Sequence, residues 1–274
     1  MTPAVSSPLG RLWRQTKAFL SIYIQDGLAY RASGMIWILN DVVIAFTLPL
    51  VWLAAAGSGT IGGKTGSDFV AYYVVMLLFS NFITCHFMWE INQEIKDGAL
   101  TSQLLRPASY LHFMFMRNLA WRLVRSLLFL PWFLLFLFVY QGNLSQTDLN
   151  FGLSTLAAVF LGHCVSFFFV MALSMLALFV EEASSIFELY YFPMLFLGGS
   201  MFPVSVLPGW VQNLAVVFPF YYAVGAPADI ATGRIPESQV PTILGVQLLW
   251  IGLSIILHIV LFRVGMKRYQ GVGL

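Results

Sequence analysis

VLPGWVQNLAVVFPFYYAV, residues 206–224, is the stretch on which the fold turns. It is apolar enough to cross a membrane, yet Pro208, Gly209 and Pro219 interrupt it. Each proline removes an amide donor and breaks a helix where it stands. Working outward, apolar runs predict six spans, at about 35–56, 69–89, 119–140, 151–180, 186–202 and 240–262. A helix needs about 20 residues to cross the roughly 30 Å hydrocarbon layer. If 206–224 does not cross, both termini share one side, and lysine and arginine divide 12 to 2 between the two sides. Only Lys64 and Arg234 then fall outside; letting the stretch cross lowers the division to 10 to 4. Positive charge collects on the cytoplasmic side, so the sequence predicts an all-α membrane protein with six transmembrane helices and cytoplasmic termini. Residues 204–224 then form a re-entrant helical hairpin in the outer leaflet before the last span. Backbone of that kind is tolerated only where protein buries it or water reaches it, so the segment is a functional hint.

Composition agrees. Of 274 residues, 59% are apolar and 9% charged, against about 45–50% and about 25% in soluble domains. The 16% aromatic content and a mean hydropathy of +0.82 point to lipid as the solvent for much of the chain. A soluble enzyme, a disordered tail, a disulfide scaffold and a nucleic-acid binder are excluded, and a net charge of +2 implies no polyanionic partner. Cys85 and Cys164 lie in apolar runs and read as small buried hydrophobes. Arg11, Arg14 and Lys17 interrupt any signal-peptide core, so the mature chain is expected to begin where the sequence does. With no repeat and no long linker, residues 1–274 read as one membrane domain.

Two segments are amphipathic. Ser7-Pro8 suits a helix start, and Leu9, Leu12, Trp13, Phe19, Leu20 and Tyr23 recur at helical spacing, which predicts an interfacial helix over 8–31. After the second span, Ile91 and Ile95 share one helical face while Glu90, Glu94, Lys96 and Asp97 make the rest polar. This predicts a short helix at the inner surface within 90–100, with Gly98 as its stop.

Several local patterns admit a chemical reading and a plainer one. Gly62-Gly63-Lys64-Thr65 ends like a phosphate-binding loop, but Ser58 stands where the first glycine belongs and the stretch falls outside. It reads as a Gly-rich outer loop, and ATP hydrolysis is not expected of this chain. His86 and Glu90 share a helix face, but two ligands do not make a zinc site. His163 and His258 lie inside spans and read as histidines bonded between helices; a histidine-dependent membrane-embedded acyl or lipid transferase is the alternative they leave open. Asp41 is either a charge inside the first span or a headgroup-level residue on a late-starting helix, and Glu188, after Glu181 and Glu182, poses the same question. Arg117, Arg122 and Arg125 read as snorkelling to headgroups, with a lipid-phosphate site as the other reading. The strongest local signal is Gly198-Gly199-Ser200-Met201-Phe202-Pro203, then Leu207-Pro208-Gly209-Trp210, then Phe218-Pro219-Phe220-Tyr221-Tyr222. Glycine pairs allow close helix approach and Trp and Tyr favour the headgroup level.

This order of parts resembles the type-2 ABC transporter permease family. Gly199, Phe202, Pro203, Leu207, Pro208, Trp210 and Pro219 match its G-x-x-F-P, L-P-x-W and P pattern, and Phe218 departs from its usual Asn. Tyr30-Arg31-Ala32, Asp97-Gly98, Leu104-Leu105-Arg106-Pro107, 218–222, and Ala226-Pro227 through Gly233 resemble a subgroup of paired permeases encoded beside one ATPase. The resemblance implies the membrane subunit of an ATP-driven exporter in a bacterial cytoplasmic membrane, moving an amphiphilic, lipid-like or drug-like substrate by alternating access. Its partners would be a cytoplasmic ABC ATPase dimer, a second permease copy or a paralogous permease, and membrane lipid, without nucleic acid. No cofactor would sit on this chain, ATP and Mg binding to the ATPase. It assigns ATPase coupling to 11–31 and to 90–100, with Glu90, Ile91, Glu94, Ile95, Lys96, Asp97 and Gly98. The outer gate falls to Gly198, Gly199, Phe202, Pro203, Leu207, Pro208, Trp210 and Pro219. Asp41, Glu188, Tyr190 and Tyr191 are candidates for an inner gate or pathway, with Phe192 and Phe196 of the fifth span beside them.

Overall fold

The computed structural model describes residues 7–180 and 183–269. Glu181, Glu182 and both chain ends lie outside the described residues. Among those described, the fold is all-helical, with 79% helix and no strand.

Helix α1 (Pro8–Ala29) starts at the expected cap, where Ser7 Oγ accepts from the Gly10 amide at 3.2 Å. Its second half packs on the sixth helix, with Phe19 and Tyr23 edge-on to Phe113. The first half leaves Leu9, Leu12 and Trp13 uncovered, so the predicted apolar face is only partly met by protein. Tyr30 alone separates it from α2 (Arg31–Ala56). At Gly62 and Gly63 the backbone turns through positive φ, closing Ile61 and Lys64 on each other. A reciprocal cap between Thr65 and Asp68 then starts α3 (Gly66–Ile83).

The second span is shorter than predicted. Its helix stops at Ile83 instead of continuing to position 89, because Ser166 Oγ captures the Cys85 amide at 3.0 Å and the chain runs extended. A separate helix α4 (Met88–Lys96) follows; Gly98 (φ +72°) reverses the chain into α5 (Ala99–Leu104). The expected 90–100 helix is therefore an elbow of two helices. The third span is longer than predicted: α6 (Tyr110–Val139) is capped by Ser109 and begins nine residues before position 119. Its 30 residues measure about 45 Å, more than a bilayer core. The short α7 (Gln141–Leu144) precedes α8 (Leu153–Ser174), which tightens into a 3-10 turn at Met175–Leu178.

Helix α9 (Ser184–Leu197) covers the predicted fifth span but ends five residues early. At 14 residues it spans about 21 Å. The 206–224 region is a chain of short pieces: a 3-10 turn (Val204–Val206), α10 (Gly209–Ala215), a π-helical turn (Tyr221–Gly225) and α11 (Ala226–Ala231). The longest unbroken helical stretch, 219–231 through the π-turn, has 13 residues, so none of the pieces can cross a membrane alone. Helix α12 (Val240–Met266) closes the fold along α8.

Among the described residues, five helices are long and apolar enough to cross a membrane: Gly34–Ala56 of α2, Gly66–Lys96 (counted through α3 and α4), α6, Leu153–Leu178 and Glu237–Met266. Within the apolar window, 78% of the α3 segment is buried, against 17–24% for α2, α6 and α12. Helix α3 is thus the enclosed centre, α8 is about half enclosed, and α2, α6 and α12 present broad apolar faces outward. Close packing needs missing side chains where the short pieces meet the spans. A Cβ on Gly162 of α8 would lie 2.2 Å from the Ala223 carbonyl oxygen.

Candidate functional site

Three clusters of polar or glycine-rich chemistry are held by this frame. The first is the elbow. Met88, Ile91, Ile95 and Leu100 are buried, which follows from their spacing on one face. Glu90 and Glu94 are not turned outward together. Arg117 of α6 donates from Nη2 to Glu90 at 2.7 Å and from Nη1 to Glu94 at 2.8 Å, and Tyr110 Oη adds a third bond to Glu94 at 3.0 Å. The same guanidinium lies 6.0 Å from the Tyr23 ring of α1, so three helices meet on one arginine. Gln93, Lys96 and Asp97 are exposed, with Gln93 Nε2 donating to Asp97 at 2.8 Å. Beyond the elbow, Leu105 is 81% exposed beside exposed Arg106. The sequence reading gave Tyr110 and Leu105 no site role and gave Arg117 a different one; an arginine two α6 turns from the loop was the available signal.

The second cluster lies further along α6. Arg125 pairs with Asp41 of α2 and donates from Nε to Asn81 Oδ1 at 3.1 Å. Arg122 is buried and reaches the Asn81 carbonyl oxygen at 3.4 Å, and Cys85 Sγ lies 3.2 Å from Asn118 Oδ1. These contacts correct the expectation that Arg117, Arg122 and Arg125 snorkel to headgroups, because each is spent on protein. Asp41 likewise stands within a helix and has a partner. The His86 ring lies 5.9 Å from the Tyr191 ring. Glu188 is exposed on α9. Tyr190 goes elsewhere: it is buried against Phe169 and Phe220 beside a small apolar pocket with Met194 and Pro219. His86 and Glu90, four apart in sequence, turn to different partners.

The third cluster is at the opposite end of α3. Gly199 takes φ +82°, and its carbonyl accepts from Tyr72 Oη at 2.9 Å. Tyr73 Oη donates to the Met201 carbonyl at 2.7 Å while accepting from Trp52 Nε1 at 2.8 Å. Phe202 packs between Phe196 and Trp52, at 6.1 and 6.2 Å. Pro203 and Leu207 flank the 3-10 turn, Pro208 precedes α10, and Gln212 Nε2 donates to the Leu207 carbonyl at 2.8 Å. Trp210 is 72% exposed. Gly198 and Gly225 allow the return strand of chain to approach: a Cβ on Gly225 would sit 2.9 Å from the Gly198 carbonyl oxygen. Arg234 stacks 4.4 Å from the Tyr72 ring and pairs with Asp229 at 3.6 Å. Burial pushes the Asp229 carboxyl up, against the downward pull of Arg234. Lys64, Asp68, Gln146, Asp148 and Arg234 border a cleft of about 250 Å³ at this end.

The two intramembrane histidines do not converge on chemistry. His163 is enclosed by Phe82 and Phe115, at ring distances of 5.1 and 5.9 Å, and His258 stacks on Phe262. The surroundings of both rings are mainly aromatic, and the transferase reading is not favoured.

A bundle of apolar helices around one enclosed span, with polar groups paired inside it, defines a multi-pass membrane protein. The chain belongs to the ABC-2 family of transporters: the model described as "ABC-2 family transporter protein" matches residues 39–273, every element from within α2 onward. It is therefore a membrane permease of the ABC transporter class, a transport component. Permeases of this family generally work with a cytoplasmic ATPase. No curated protein matches the chain.

Proposed function

We propose that this chain is the membrane subunit of an ATP-driven exporter in a bacterial cytoplasmic membrane, moving an amphiphilic, lipid-like or drug-like substrate by alternating access. In this reading α9 is the short fifth of six spans, both termini are cytoplasmic, and 204–224 enters and leaves by the outer face. ATP and Mg bind a separate ATPase dimer and no cofactor binds this chain. Two permeases, either two copies or this chain with a paralogue of the paired subgroup, enclose the pathway within membrane lipid. The outer gate is the 198–219 region. Asp41, Glu188 and Tyr191 lie toward the inner pathway, and Tyr190 supports α9 from behind.

The observation that carries the reading is the elbow. Its apolar side is buried, two of its acids are pinned to α6 by Arg117, and its polar side is exposed. An element rigidly tied to a span and polar outward suits a groove on a soluble partner, and transmits that partner's movement. We assign ATPase contact to Gln93, Lys96, Asp97, Leu105 and Arg106, and the positioning of that surface to Glu90, Glu94, Ile91, Ile95 and Gly98. The test is to purify the tagged protein from its native host in mild detergent and identify what accompanies it. An ATPase alone supports two identical permeases, and an ATPase with a second permease supports the paired form. Folded, abundant protein with neither partner overturns the proposal.

A further inference from the structure

The segment between α9 and Val204 has no helix of its own to satisfy its carbonyl groups, and α3 supplies what it lacks. Tyr72 and Tyr73 are adjacent, so their side chains leave α3 about 100° apart. They grip two separate points, the carbonyls of Gly199 and Met201, at 2.9 and 2.7 Å. Both rings are buried. Each is backed by a group from another element: Arg234 over the Tyr72 ring, and Trp52 Nε1 on the Tyr73 hydroxyl. The fit at the first point is tight enough that a Cβ on residue 199 would lie 2.4 Å from Tyr72 Oη. About ten residues and roughly 15 Å beyond Tyr73, α3 ends at Ile83, and the non-helical residues 84–87 connect it to the elbow. One helix and a four-residue connector thus link the elbow assigned to the ATPase with the backbone of the assigned gate.

We propose that Tyr72 and Tyr73 are positioning residues forming a two-point latch, which holds 199–201 in the closed outer gate and releases it in each transport cycle. The proposal rests on the exporter reading. Its physical content is a two-state contact: hydroxyl-to-carbonyl bonds can break and re-form without rebuilding a core, whereas side chains packed against α8 cannot.

The test uses the full permease with its ATPase in lipid nanodiscs, where both faces are accessible. Ser200→Cys serves as reporter for a charged maleimide; native Cys85 and Cys164 are buried and free, so they contribute little background. In the parent, labelling is slow without nucleotide and rises at least fivefold with ATP, Mg and vanadate. Tyr72→Phe and Tyr73→Phe should each raise the nucleotide-free rate at least threefold and shrink the nucleotide effect. A residue with only a structural role would lower stability and leave that ratio unchanged. Nucleotide-free rates within twofold of the parent overturn the latch. Should the phenylalanine variants not fold, hydrogen exchange on the unaltered protein decides: amides of 200–206 must lose protection with ATP and vanadate, and unchanged protection there overturns the latch. If nucleotide changes neither reporter labelling at position 200 nor exchange at the α4–α5 elbow, the exporter reading fails and the latch falls with it. A response at the elbow without one at 200–206 overturns the latch alone.

Discussion

At the scale of single residues, Gly199 is the position where sequence and tertiary structure constrain each other most tightly. Gly63 is its natural control, since it also has positive φ (+75° against +82°) but meets nothing within 4 Å. An alanine in left-handed backbone costs about 1–2 kcal/mol at either place. Only Gly199→Ala adds a collision with the Tyr72 hydroxyl, so its unfolding midpoint in detergent should fall clearly further than that of Gly63→Ala. Equal shifts would show that the Tyr72 contact imposes no constraint. Asp229 gives a pH dependence. Because its carboxyl is pushed up by burial, the native state holds a proton that the unfolded chain has released, and stability falls as pH rises through that window. Asp229→Asn should flatten this slope in thermal unfolding followed across pH; an unchanged slope assigns it to other groups.

At the scale of elements, the elbow separates residues that a helical-wheel reading groups together. Reversing Asp97, exposed beside Gln93, should reduce ATPase capture while leaving thermal stability within about 0.5 kcal/mol, the usual range for surface changes. Reversing Glu94 instead sets a lysine against Arg117 and should loosen α4 itself, lowering stability as well as capture. A double-mutant cycle with Arg117→Gln and Glu94→Gln should return a coupling of about 1 kcal/mol, at the low end for charged bonds because Arg117 is 29% exposed. Zero coupling would mean that the elbow is held by its buried isoleucines alone. The split between Lys96 and Asp97 outside and Glu90 and Glu94 on α6 was not legible locally. Periodicity gives a face, but the partner waiting at that face is 23 residues away in sequence.

At the scale of the whole molecule, the enclosure of α3 changes where an intersubunit pathway can run. Most of α3 is covered within one chain, so it offers little surface to a pathway between two permeases. Beside α3 in this region, α2 and α9 present open faces, with Ile36, Trp37, Ile44, Leu189 and Phe192 exposed, while α6 and α12 are open elsewhere. Ile44 and Trp37 lie three and four residues from Asp41, on its side of α2. A two-permease assembly therefore predicts that Ile44→Cys cross-links between subunits under a short bis-maleimide, while Ile256→Cys, exposed on α12, does not. Cross-linking at 256 and not at 44 would place the interface on the other side of the bundle.

Much of this architecture is determined by composition and order alone. Apolar runs long enough to cross a membrane require helices, because lipid offers no partner for backbone amides. Pro208, Gly209 and Pro219 break 206–224 wherever it is placed, and Ser7, Thr65, Gly98 and Ser109 set helix ends through local bonds. What only the tertiary structure decided are the places where a distant group wins over local preference. The Ser166 hydroxyl ends α3 six residues early, and Asp41 and Asn81 take the Arg125 charge that sequence alone would leave to headgroups. Tyr72 fixes why residue 199 has no side chain. In each case the deciding atom comes from another helix, and spacing along one chain carries no record of which helix that is.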